Sequence, residues 1–162
     1  SFVGDFTKGI LAVWIAVKIA SFYCLEDNCV QILKIFMYLS ALMCVLGHIF
    51  PCFFRFKGGK GILTAWSCGL LIDWRVFIIL ISIFLVIFSI WKIISLASIF
   101  AAISYPIATF FVGYLTGDSY LLISVVFTTI IGSIVFLKHI SNLKRIINGT
   151  ESKITIHKTG VV

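Results

Sequence analysis

Apolar residues fall in runs long enough to enter or cross a bilayer, and short polar stretches separate them. Lys8 to Tyr23 predicts a helix with Lys18 close enough to its far end to snorkel to the interface. The acidic turn Leu25-Glu26-Asp27-Asn28 follows, and Val30 to Leu46 predicts a second helix that carries Lys34 near its start and stops at Gly47, His48 and Pro51. Ile62 to Ile72 gives roughly 16 Å of helix against a hydrocarbon core of about 30 Å, so it is expected as a short or half-buried segment. Joining it to the next run would place Asp73 and Arg75 deep in lipid, which their cost disfavours. Val76 to Trp91 is closed by Lys92, Ile99 to Leu115 contains Pro106 and is expected to kink there, and Tyr120 to Leu137 is the last crossing.

Hydrophobic residues make up 61% of the 162, charged ones 12%, and mean hydropathy is +1.17, far from a soluble globular mixture. The fold class expected is all-α: a polytopic membrane helical bundle of about five to six full or half transmembrane helices, forming a single domain over residues 1–162. A net charge of +7 in a soluble protein would suggest nucleic acid, but here the cations cluster in loops between apolar runs and report orientation, so no nucleic acid is expected. Alternating the loops puts Lys8, Arg55, Lys57, Lys60, Lys92, Lys138, Lys144, Arg145, Lys153 and Lys158 on one side, opposed by Asp5 and Glu151 and read as cytoplasmic, and Lys18, Lys34 and Arg75 with Glu26, Asp27, Asp73 and Asp118 on the other. The five cysteines have no metal-ligand spacing. Cys24 and Cys29 could pair on an oxidising side or stay free, and Cys44, Cys52 and Cys68 are expected as packing residues. Asn148-Gly149-Thr150 matches a glycosylation acceptor but falls on the side read as cytoplasmic. The chain opens on Ser1 without a signal-peptide pattern, which reads as a truncated or processed start.

Candidate chemistry centres on Gly47 to Thr64, GHIFPCFFRFKGGKGILT. Gly58, Gly59 and Gly61 can turn successive N–H groups toward one anion, Arg55, Lys57 and Lys60 supply charge, and a helix starting at Ile62 would add its N-terminal dipole. Phosphate is the natural ligand. The loop of soluble nucleotide hydrolases needs Ser or Thr directly after its Lys, where this chain has Gly61, so that class is disfavoured. The plain alternative is a basic loop that only sets topology. Three further stretches lie on the same side. Asp5-Phe6-Thr7-Lys8-Gly9 offers a capping carboxylate and a cation three residues on. Ser95 to Ala102 is small and hydroxylated, suited to close helix packing or to ligand donors. Lys138 to Arg145 puts His139, Asn142 and Arg145 on one stripe if the helix continues, combining phosphate donors with a group that titrates near neutral pH, and His139, like Lys60, is expected at a wet surface.

In these residues the chain resembles the bacterial integral-membrane glycerol-3-phosphate acyltransferases that use acyl-phosphate as acyl donor. The resemblance is carried by DFTKG at Asp5–Gly9, LGHIFPCFFRFKGGKG at Leu46–Gly61, SLASIFAAISYP at Ser95–Pro106 and HISNLKRIINGTESK at His139–Lys153. It implies transfer of a fatty acyl group to the 1-position of sn-glycerol 3-phosphate, giving lysophosphatidic acid and phosphate for phospholipid synthesis. It further implies a multi-pass protein of the bacterial inner membrane with its active site at the cytoplasmic face. Neither coenzyme A, metal nor other cofactor is needed, and an upstream enzyme would form the acyl-phosphate. Members of the family begin with a further helix and a loop holding a Ser and an Arg, which this chain lacks before Ser1. On this basis Lys60, His139 and Asn142 are the expected catalytic residues. Gly58, Gly59, Gly61, Lys57, Arg145, Lys8 and Ser98 are expected to bind substrate phosphate, with Asp5, His48 and Glu151 in support. No Ser, His and carboxylate set is apparent, so direct transfer without a protein nucleophile is expected. The rival reading is a channel or transporter for small phosphorylated anions; it lacks ionisable residues in Val76–Trp91 and Tyr120–Leu137.

Overall fold

The computed structural model describes residues 2–23, 29–52 and 58–154. They form seven helices: α1 (Phe2–Tyr23), α2 (Cys29–Ile49), α3 (Ile62–Ile72), α4 (Trp74–Trp91), α5 (Ile94–Leu115), α6 (Leu121–Lys138) and α7 (Ile140–Ile147). α1 packs on α2 and α3, α2 on α3 and α6, and α4 on α3 and α5; α5 and α6 pack on each other and α7 sits against both. The six longer helices thus close a ring around a core that includes Val13, Val45, Ile49, Cys68, Tyr105 and Ile131. Leu11, Trp14, Leu85, Ile103, Phe111 and Leu122 point outward and exposed, as a surface solvated by lipid requires. α2, α4, α5 and α6 are each long and apolar enough to cross a membrane. This is an integral membrane helical bundle.

The half-helix is present as α3, and Asp73 ends it: its extended backbone breaks the run and its side chain accepts the Arg75 N–H at 3.0 Å, capping α4. Other boundaries differ from the expectation. α1 starts at Phe2, so Asp5 lies inside the first turn instead of capping from outside it. α5 starts at Ile94 and takes in Ser95 and Ser98, and the last helix breaks at His139. Cys29 is in a disulfide, so the free-thiol alternative does not hold for it; Cys24 lies outside the described residues, as do Arg55 and Lys57.

Pro106 sits inside α5 without ending it. With no N–H on Pro106, the Ala102 carbonyl loses its partner four residues on, and Gly132 of α6 packs straight onto that oxygen. A Cβ at Gly132 would lie 2.6 Å from it. Gly132→Ala should therefore destabilise the bundle by about 1–3 kcal/mol, read as a lower unfolding temperature in detergent, whereas Gly4→Ala, with open space around Gly4, should leave it unchanged.

Candidate active site

The chain bends sharply at three places on one end of the bundle, and the bends assemble the site. α4 ends at Lys92 in the left-handed region, φ 57°. α6 ends at His139, whose N–H donates to the Phe136 carbonyl at 2.9 Å while its own carbonyl accepts the Leu143 N–H at 2.9 Å and starts α7. After α7, Gly149 takes φ 69°. The Thr150 N–H then reaches the Arg145 carbonyl at 2.8 Å and the Gly149 N–H that of Ile146 at 3.0 Å, a Schellman turn. This reversal sends the tail back to α4, where the Ile154 N–H donates to the Lys92 carbonyl at 2.9 Å.

The returning tail delivers Glu151 into the middle of the site. One oxygen accepts Ser95 Oγ at 2.5 Å and Asn142 Nδ2 at 2.6 Å, and the other accepts Arg145 Nε at 2.6 Å. Burial alone would raise this carboxyl's pKa; the three donors outweigh it and bring it down to about 2. The Glu151 side chain is 8% exposed and that of Arg145 is 49%. Asn142 is 2% exposed, and its Oδ1 has no hydrogen-bond partner. The expected His139–Asn142–Arg145 stripe therefore divides: Asn142 and Arg145 clamp the carboxylate, and only His139 faces the cavity beside it.

That cavity, about 270 Å³, is bounded by Lys60, Ile62, Ser95, Ser98, His139 and Glu151. Lys60 and His139, 79 positions apart (139 minus 60), share it. His139 is 1% exposed, where a wet surface position was expected, because the break after α6 folds its ring inward. Nδ1 donates to the Val135 carbonyl at 2.8 Å, so in the neutral ring the lone pair is on Nε2. Burial holds the His139 pKa below its usual value, opposed by the Val135 hydrogen bond, and Lys60 lowers it further. The Lys60 amine is also drawn down, by partial desolvation, against the pull of Glu151. Ser98 lines the cavity while donating its hydroxyl to the Ile94 carbonyl at 2.9 Å.

The glycines before α3 have packing reasons as well as chemical ones. A Cβ on Gly58 would lie 2.0 Å from the His48 carbonyl, and one on Gly59 2.2 Å from His48 Nε2. The Gly58 N–H already donates to the Ile49 carbonyl at 3.2 Å. Gly61, at φ 79°, precedes α3, and the first N–H groups of that helix have no intrahelical acceptor. Lys8 is not drawn to the cavity: its amine donates to Asp5 at 2.7 Å and to His48 Nδ1 at 2.5 Å, a cluster directly behind Gly59. Lys57 lies outside the described residues. Ser95, Ser152 and Ile154 were not singled out as site residues; the Asn-Gly pair after a short basic helix was the available signal for the turn that brings the last two in.

A sequence model of the family described as glycerol-3-phosphate acyltransferase matches residues 1–149. The chain belongs to the glycerol-3-phosphate acyltransferase family. A member from Prochlorococcus marinus (strain MIT 9515) is 37% identical over 153 residues, covering 94% of this chain and 70% of that one. Another, from Bacillus subtilis (strain 168), is 40% identical over 116 residues, covering 72% and 56%. Among solved structures, the fold is similar to the glycerol 3-phosphate form of PlsY (YgiH), an integral membrane glycerol 3-phosphate acyltransferase, with TM-score 0.73, 32% identity and coverage of 95% of this chain and 69% of that one. Its lysphosphatidic acid form gives TM-score 0.74, at 32% identity and with 95% and 70% covered. The chain spans about two thirds of the length of the curated relatives it matches.

A buried histidine with a lowered pKa makes stability depend on pH. As pH falls below about 6.5 the unfolded chain takes up a proton that folded His139 refuses, so stability is full above that value and drains away toward the lower folded pKa. Unfolding measured in detergent between pH 7.5 and 5 should show a steeper acid loss for the native chain than for His139→Gln.

Proposed function

We propose that this chain forms the catalytic body of an acyltransferase that moves a fatty acyl group from acyl-phosphate to the 1-position of sn-glycerol 3-phosphate, releasing lysophosphatidic acid and phosphate. One observation carries the reading. An apolar groove of about 620 Å³ runs between α3 and α4, and it shares Ile62, Ile94 and Ser98 with the polar cavity of Lys60 and His139. From Leu85 to Phe77 it follows α4 for about 12 Å, with the Trp66–Phe84 edge-to-face pair in its wall, centroids 4.7 Å apart. A substrate with a long apolar chain and an activated anionic head fits such a junction: the chain lies in the groove and the acyl carbon sits at the shared wall. Lys60 and the free N–H groups at the start of α3 then face the phosphates.

The glycerol hydroxyl attacks the acyl carbon; the new ester C–O bond forms as the bond to phosphate breaks, and inorganic phosphate leaves. His139 Nε2 accepts the hydroxyl's hydrogen bond and orients it, and the proton ends on His139 or on a departing phosphate oxygen. Gly58, Gly59 and Gly61 shape the phosphate turn, and the charges of Lys57 and Arg145 add to its attraction for phosphate. Glu151, Asp5, His48 and Lys8 hold that frame, and Asn142 acts through Glu151. The cations at this end support a cytoplasmic face in a bacterial inner membrane, with the product entering phospholipid synthesis. An upstream enzyme that phosphorylates a free fatty acid, or phosphorolyses an activated acyl group, supplies the donor. Buried Thr64, Ser67, Cys68 and Tyr105 fill the bundle between its ends, which supports an enzyme over a permeation path.

With the complete protein reconstituted in lipid, Lys60→Ala should lower kcat/KM by one to two decades, the worth of a charge-assisted contact of about 1.5–3 kcal/mol. His139→Gln should lower kcat at least as far, and lysophosphatidic acid should form from acyl-phosphate with no release of coenzyme A. Folded variants at both positions with undiminished transfer would reduce the basic loop to a topology signal.

A further inference from the structure

The end of the bundle away from the candidate active site holds a second polar cavity, which the acyl transfer does not use. It measures about 380 Å³, within the range of small-ligand pockets and far beyond the roughly 30 Å³ share of one water. Its existence follows from the shortness of α3. The packing partners of α2 are α1, α3 and α6, and those of α4 are α3 and α5. Where α3 stops at Ile72, no other helix among the described residues continues its thickness between α2 and α4. The floor includes Tyr38, nine residues into α2, and Thr109, six before the end of α5, so it lies about 9–13 Å below the helix ends.

The walls carry two cations and two carboxylates. Lys34 bonds Asp118, which the turn at Gly117 (φ 65°) brings over α2, and its amine lies 3.5 Å from Ser124 Oγ. Arg75 holds Asp73 in a fork at 3.0 and 2.9 Å. All four side chains keep part of their surface open, and Met37, Ile72 and Val76 line the same space. A ligand carrying charge of one sign only would be attracted by one member of each ion pair and repelled by the other. A ligand with both charges meets both cations and both carboxylates at once. With apolar residues beside them, at the depth where an interfacial lipid head meets its chains, the matching molecule is amphipathic as well.

We propose that this cavity binds the head of a zwitterionic aminophospholipid from the leaflet opposite the candidate active site. The phosphate lies between Lys34 and Arg75, the ammonium is shared by Asp118 and Asp73, and the acyl chains leave past Met37, Ile72 and Val76. This site stands independently of the acyl-transfer reading.

The test is native mass spectrometry of the complete protein released from nanodiscs containing equal amounts of phosphatidylethanolamine and phosphatidylglycerol. Phosphatidylethanolamine should be retained at least tenfold over phosphatidylglycerol. That preference should be lost in the Lys34→Gln/Arg75→Gln double variant and in Thr109→Met, which fills the floor and leaves both ion pairs in place, so that loss through misfolding of the first is separated from loss of the site. Water-soluble glycerophosphoethanolamine should compete only at far higher concentration. Equal retention of the two lipids, a preference that survives in both variants, or competition by the soluble head at the lipid's own concentration overturns the proposal.

Discussion

One carboxylate, Glu151, holds the candidate site together. It belongs to no helix, yet it is bonded to Ser95 at the start of α5 and to Asn142 and Arg145 on α7. Between them these contacts fix the relative placement of α5, the α6–α7 break and the returning tail. A carboxylate held this tightly resists protonation and remains a fixed negative charge beside Lys60 and His139. It opposes the desolvation that lowers the Lys60 pKa, favouring the charged amine that a phosphate contact uses.

The half-helix α3 gives the bundle its two faces. Its N-terminal end, opened by Gly61 and without a side-chain cap, borders the cavity of Lys60 and His139 at Ile62, and its side borders the apolar groove. Its early stop at Ile72 leaves the charged recess at the other end. The same backbone device serves both ends: a glycine at positive φ after a helix, Gly149 or Gly117, reverses the chain and sets an acidic residue just beyond it onto a neighbouring helix. Glu151 and Asp118 are placed in this way, one on Ser95 and one on Lys34.

The apolar runs made the helices legible because burial in lipid demands length and hydrophobicity before anything else. The half-helix was legible from the charge of Asp73 and Arg75. Side-chain periodicity cannot show where a chain turns back, and the misses have that cause. Asn148-Gly149-Thr150 was noticed only as a glycosylation match on the wrong side for that modification, and it is a helix-ending turn; His139 was expected on a wet helix face and is buried at a break. Glu151 was placed as a support, but nothing in its spacing from Ser95 could show that the two touch. The pairing of Lys8 with Asp5 and His48, away from the cavity, was equally hidden, since a lysine at a helix start reads the same whether it meets a ligand or a neighbour.

The account stands or falls on whether Asn142 works through Glu151. A double-mutant cycle of Glu151→Gln and Asn142→Ala on kcat/KM for glycerol 3-phosphate in the complete protein measures this directly. If the carboxylate is the organiser, each single change lowers kcat/KM severely and Asn142→Ala adds little once Glu151 is neutral, a coupling of about 1 kcal/mol or more. Effects that add within about 0.5 kcal/mol would put Asn142 on the substrate by itself and contradict the central role given to Glu151.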